Sequence, residues 1–194
     1  MDLEELMHKT QFFIVTPGDG TFDGSIEDPE LQADMISSVI LKHLAGKLES
    51  LGAKVTLKED RNVPATYAEA CEEESSLFIS LKVGIKTEVD KSVARVSYFD
   101  AGNETKEINE NLADELAHRF KDTGYFTMVE SKSRETSIKP GIPSALIIIG
   151  MGNDLLCDYN DDQDKFLIKI VESIGYGLVS GFVDNGDGEE DEDS

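Results

Sequence analysis

From Gln11 the chain reads QFFIVTP, an apolar burst of strand length. A proline and two glycines stop it, and a polar loop then runs to about residue 30. Over residues 31–51 the apolar positions Ile36, Ile40, Leu44, Leu48 and Leu51 recur at steps of four and three, so they share one face of a long amphipathic helix that Gly52 closes. Residues 53–57 (AKVTL) predict a second strand, 66–74 a short acidic helix and 76–83 (SLFISLKV) a third strand. Residues 92–99 (SVARVSYF) alternate as a strand with one wet face does. Residues 111–120 (NLADELAHRF) have helical spacing through Leu112, Leu116 and Phe120, and 125–129 add a further strand. The most apolar segment, ALIII at 145–149, is too short for a helix and rich in β-branched residues, which marks a fully buried central strand. A closing helix covers about 163–180.

Strands alternating with helices call for a single α/β domain: a mainly parallel, mixed sheet of about six strands with helices on both faces. That domain spans residues 11–182, between an N-terminal extension (1–10) and an acidic tail (183–194) expected to be solvated and disordered. Ligands collect beyond the carboxyl ends of the strands in such sheets, so the residues just after the first, third and ALIII strands carry the most interest.

Composition narrows the function. The chain has 194 residues and 39% hydrophobic content, enough for one core of ordinary size, and no apolar run nears the roughly 20 residues that span a bilayer. Forty acids against 18 bases give a net charge of -22, which disfavours nucleic-acid backbones and anionic membranes as partners. The two cysteines, Cys71 and Cys157, lie far apart, and MDLEELMHKT has neither a basic start nor an apolar core of the export type. The expectation is a reduced, cytoplasmic protein.

The strand ends read TPGDGT (16–21), SLKVG (80–84) and PSALIIIGMGND (143–154). Together with LGAKVTLKEDRN (51–62) and KIVESIGYGL (169–178), their order and spacing resemble the type-3 N-acetylmuramoyl-L-alanine amidases, zinc enzymes that cut peptide stems from bacterial cell-wall glycan. The resemblance covers residues 12–182. In that family the first strand ends in D-P-G-H-G-G, the long helix opens with a glutamate, a later strand reads S-I-H-A-N and the last reads P-A-V-L-V-E-x-G-F. The resemblance places the first histidine position on Asp19 and the second on Lys82. Counted back without gaps from Gly52, the ligand glutamate position falls on Ala33, with Gln32 and Asp34 beside it and Glu30 one gap away. The catalytic glutamate position falls on Ile148. None of the four keeps its family residue.

Those motifs serve a zinc held by two imidazoles and a carboxylate, with a second carboxylate taking the proton of the bound water. An alkylammonium has no lone pair to give a metal, and freeing one at neutral pH means lowering a lysine's ordinary pKa of about 10.4 by several units. An isoleucine accepts no proton. The resemblance therefore implies a chain that has lost zinc and catalysis, with no cofactor, acting as a binding or regulatory module for a muropeptide or a protein partner. Gly18, Gln32, Asp34, Ser80, Gly150 and Asn153 would line the groove. Asp19 and Lys82 would either pair across the former metal site or both point into water.

Two alternatives stay open. One is an active amidase with a shifted ligand set built on Asp19, Asp34 and another acid. The other is a nucleotide binder, because GDGTFDG (18–24) and GMG (150–152) each follow a strand. The dinucleotide fingerprint is poorly met, since Asp28, Pro29 and Glu30 delay the helix, and no G-x-x-x-x-G-K-[ST] occurs. His8, His43 and His118 fall on the extension and on two helices, where water is their expected surrounding. Asp158, Asn160 and Asp162 begin like a calcium loop, but Gln163 and Lys169 stand where glycine and glutamate belong, so these acids read as caps of the last helix.

Overall fold

The described residues are 3–16 and 28–183 of a computed structural model. They fold in the order α1 (Leu3–Lys9), β1 (Gln11–Thr16), α2 (Pro29–Ser50), β2 (Lys54–Glu59), α3 (Val63–Glu72), β3 (Leu77–Ile85), β4 (Ser92–Asp100), α4 (Asn103–Asp122), β5 (Phe126–Glu135), β6 (Ser144–Met151), α5 (Asn153–Asp161) and α6 (Gln163–Val183). Their strands form one six-stranded sheet ordered β2-β1-β3-β6-β4-β5. β2, β1, β3 and β6 run parallel, β4 is antiparallel to β6, and β5 is parallel to β4. The α/β domain with a mixed, mainly parallel sheet and helices on both faces is the one that the alternating pattern predicts.

Alternation along the strands sorts the two faces. Phe12, Ile14, Ile79, Leu81, Val83, Ile147 and Ile149 point to the face that α2, α4 and α6 cover, where Ile36, Ile40, Leu44, Leu116 and Ile174 complete the main core. Phe13, Val15, Phe78, Leu146 and Phe99 point to the other face and meet Tyr67 and Ala70 of α3. Central strands buried on both faces read as continuous apolar runs, which is why ALIII was the strongest strand signal. Among the described helices α3 alone lies on the second face, and its cluster stops at the level of Val15 and Leu146. The next side chains along those strands, Lys82 on β3 and Arg95 on β4, are exposed, so the carboxyl ends of β3 and β6 are open on this face.

The boundaries differ from the hydrophobic pattern where polar side chains do the work. α2 begins at Pro29 because the Asp28 carboxylate accepts the Glu30 N–H at 2.9 Å. It ends before Leu51, which is exposed and not on the buried stripe. Gly52 closes the helix at φ +93°, a left-handed value that suits glycine, and a Cβ there would sit 2.5 Å from the His8 ring. α3 starts at Val63, earlier than predicted, on an Asn62 cap. α4 starts eight residues before the apolar repeat, since its first buried positions are Thr105 and Asn109. Asn109 donates to the Phe99 carbonyl at 3.1 Å and accepts from the Ser144 N–H at 2.8 Å, tying α4 to β4 and β6. β5 is twice the expected length, because its polar second half is held by the ladder to β4.

Two helices have no counterpart in the hydrophobic pattern. α1 lies in the segment read as an extension, yet its Met7 is buried in the main core, and α5 buries only Leu155 and Tyr159. Asp162 accepts the Lys165 N–H at 3.0 Å, as expected of a cap on α6. The loop holding Gly18 and Asp19 and the acidic tail lie outside the described residues. No described helix is long and apolar enough to cross a membrane.

Candidate functional site

A cavity of about 400 Å³ opens where β1 ends, between the first turns of α2 and the last residues of β3. Glu30, Ala33 and Asp34 of α2, Arg61 from the turn after β2, and Ser80 and Lys82 of β3 are among its walls. β3 runs past the end of the β1 ladder, whose last pair is Val15–Ser80. The Val83 N–H therefore needs another acceptor, and the buried Ser37 hydroxyl of α2 supplies it at 2.8 Å while donating to the Ala33 carbonyl at 2.8 Å. That bridge sets the distance between the α2 wall and the Lys82 wall. Ser37→Ala leaves the Val83 amide buried without an acceptor and is expected to cost about 1–3 kcal/mol, read from the urea midpoint at unchanged slope.

Asp34 is not a free carboxylate: Arg61 donates to its Oδ2 at 2.6 Å across the mouth of the cavity. Lys82 is exposed at the opposite wall and lies on the open face beside Ile148, its register partner on β6. Ile148 in turn pairs with Arg95 of β4, and Arg95 with Glu130 of β5, so the four side chains form a row across the sheet. The Glu130 carboxylate lies 3.1 Å from both Lys132 and Arg95. Lys132 first, and Arg95 after it, hold its pKa below the usual carboxylate range. A second trough of about 240 Å³ follows this row and shares Lys82 and Gly84 with the first cavity. Val93, Met128 and Gly150 add to its floor.

The structure thus brings Ala33, Asp34, Ser80 and Lys82 together in one cavity, and Lys82, Ile148 and Gly150 in the adjoining trough. Gln32 and Asn153 line neither. Gly18 and Asp19 lie outside the described residues, and with them the choice between an Asp19–Lys82 pair and two solvated side chains. His8, His43 and His118 are exposed, as expected. Among the described residues, no three histidine, cysteine, aspartate or glutamate side chains converge so as to hold a metal ion.

The GMG run does not form a phosphate loop. Gly152 N–H donates to Ser92 Oγ at 2.9 Å, and the next two amides, of Asn153 and Asp154, donate to the Val89 and Asp90 carbonyls at 2.9 and 3.2 Å. A Cβ on Gly152 would lie 2.6 Å from the Val89 carbonyl oxygen, so backbone fills the space a phosphate would need. The other glycine run, 18–24, lies outside the described residues.

No sequence pattern points to Arg61, Arg95 or Glu130. The antiparallel turn of β4 against β6 is what puts Arg95 beside Ile148, and alternation in SVARVSYF gives its face without giving its neighbour.

No family profile and no curated protein matches the chain. Solved structures do. N-acetylmuramoyl-L-alanine amidase AmiC2 of Nostoc punctiforme superposes with a TM-score of 0.66 over 90% of this chain and 98% of its own, at 16% identity. The amidase Ami1 of Mycobacterium smegmatis gives 0.63 over 91% and 98%, at 14% identity. The CwlD amidase of Clostridioides difficile, solved in complex with the GerS lipoprotein, gives 0.62 over 90% and 99%, at 19% identity. At these identities the likeness is one of fold, and it extends over nearly the whole chain.

Proposed function

We propose that this chain carries the N-acetylmuramoyl-L-alanine amidase fold with its zinc centre replaced, and that it works as a non-catalytic binding or regulatory module. The observation behind this reading is the side-by-side placement of Lys82 and Ile148 on the two central strands, with Ala33 across the cavity that Lys82 lines. Those are three of the four positions that the resemblance assigns to metal ligands and proton acceptor, and they hold an ammonium, a hydrocarbon chain and a methyl group. The donor set does not fit zinc: an exposed cation repels a divalent ion, and the nearby Asp34 carboxylate is engaged by Arg61. The adjoining trough, where Lys82, Lys86 and Arg95 outnumber Glu130 beside Val93, Met128 and Ile148, suits a ligand that joins carboxylate and apolar groups. Muropeptides and acidic protein segments both answer that description.

The test is metal analysis of protein purified in the presence of zinc, paired with a zymogram on cell-wall substrate. The expected result is far less than one zinc per chain and no clearing. One tightly held zinc per chain with clearing of the substrate would overturn the proposal and favour a shifted ligand set.

A further inference from the structure

We infer that β5 is a self-recognition edge, through which two copies of this chain join their sheets in antiparallel register centred on Ser131. β5 is the last strand of the sheet, and its second half is exposed. Phe99 N–H donates to Ser144 Oγ at the start of β6, so Phe99, Ser97 and Arg95 direct their backbone groups at β6, and Ala94, Val96 and Tyr98 direct theirs at β5. In a parallel ladder a residue bonds to the two residues flanking its partner. Ala94 is opposite Val129 and Val96 opposite Ser131, so Met128, Glu130 and Lys132 spend their backbone groups on β4. The amides and carbonyls of Val129, Ser131 and Ser133 face away from the sheet.

Exposed strand edges normally carry charges that discourage pairing. Here the order of the charges matters. With two copies centred on Ser131, Val129 of each chain exchanges backbone bonds with Ser133 of the other, and Ser131 with Ser131. The intervening, closely spaced pairs then set Glu130 against Lys132 twice and Met128 against Arg134 twice, all on the open face. Shifting the centre to residue 130 opposes two carboxylates, shifting it to 132 opposes two ammonium groups, and shifting it to 133 opposes Lys132 to Arg134. The centre at Ser131 avoids each of these clashes and gives a two-fold, closed contact. It also makes the Lys82–Ile148–Arg95–Glu130 row continuous with its symmetry mate, so the open troughs of both copies lie on one face.

Sedimentation equilibrium of the full chain from about 1 μM to about 1 mM tests this. The mass is expected to rise from 21.3 kDa towards twice that value with concentration. Ser131→Pro, which removes the central outward amide, is expected to hold the chain monomeric. Lys132→Glu alone and Glu130→Lys alone each create like-charge pairs across the two-fold axis and are expected to weaken self-association about tenfold or more. An equimolar mixture of those two variants restores opposite charges at both pairs and is expected to recover association to within about threefold of the unsubstituted chain. A chain that stays monomeric throughout, a dimer indifferent to these substitutions, or a mixture that fails to recover would each overturn the inference. Far-ultraviolet circular dichroism checks that the variants are folded, and recovery by mixing cannot come from a misfolded pair.

Discussion

Asp19→His, Ala33→Glu, Lys82→His and Ile148→Glu, combined in one chain, are expected to give a protein that binds one zinc ion at about micromolar affinity or better, roughly -8 kcal/mol, where the unsubstituted chain is expected to bind none. The structure gives three of these positions a common location. Lys82 and Ile148 are register partners on neighbouring strands, and Lys82 shares a cavity with Ala33. A glutamate replacing Ile148 would not be an isolated buried charge, since that position is half exposed and neighbours Arg95. The first turns of α2 are fixed to β3 by Ser37, which holds the Ala33 wall at a set distance from the Lys82 wall. Preset distances of this kind reduce the ordering cost of ligating a metal.

The decisive control is the same chain with Lys82 left in place. If the ammonium is what excludes the metal, the three remaining substitutions give no zinc binding, and adding Lys82→His restores it. Titration against a chromophoric chelator, with metal analysis of the dialysed protein, reads both. A four-fold variant that folds and takes up no zinc would show that the resemblance has been laid on the chain in the wrong register. Zinc binding that survives with Lys82 present would show that the cation does not exclude the metal.

Much of this geometry is legible in the sequence. The apolar runs at 12–15 and 145–147 are buried on both faces and so carry an unambiguous strand signal, and the stripe through Ile36, Ile40, Leu44 and Leu48 locates α2 against the main core. The cavity could be anticipated because both strand ends and the start of α2 meet at the carboxyl edge of a parallel sheet. What stayed hidden was written in polar residues. The opening turns of α4 rest on Thr105 and Asn109, and hydrophobic periodicity is silent when a buried face is built from side-chain hydrogen bonds. Arg61 enters the site through the turn after β2, and Arg95 through a strand that reverses direction, so neither is near its partner in sequence. The nucleotide reading of GMG failed for a similar reason: the 89–90 turn satisfies the amides that follow it, and a local glycine count gives no hint of that turn.

Tyr67→Ala is expected to lower stability by about 3–5 kcal/mol, a large share of the roughly 5–15 kcal/mol available to a domain of this kind. Tyr67 is fully buried, with its ring 5.3 Å from that of Phe78 and 4.4 Å from that of Phe99, centroid to centroid. Its hydroxyl donates to the Ile142 carbonyl at 2.7 Å. Burial, and next the Cys71 thiol, push the phenol's pKa up, so the group remains a neutral donor. Since α3 is the described helix on that face, truncating its largest anchor removes both the aromatic contact and the tie to the loop before β6. Tyr67→Phe keeps the ring and loses only the hydroxyl bond, for an expected cost of about 1 kcal/mol. Chemical denaturation of both variants separates packing from hydrogen bonding. The effect should also reach the site, because Arg61 and Val63, at the entry to α3, line the cavity that holds Lys82. Hydrogen exchange in Tyr67→Ala is therefore expected to lose protection in α3 ahead of α2, freeing Arg61 from Asp34 while the Ser37 bridge stays closed. Equal loss in both helices would mean that α3 and the cavity wall open only with the whole domain.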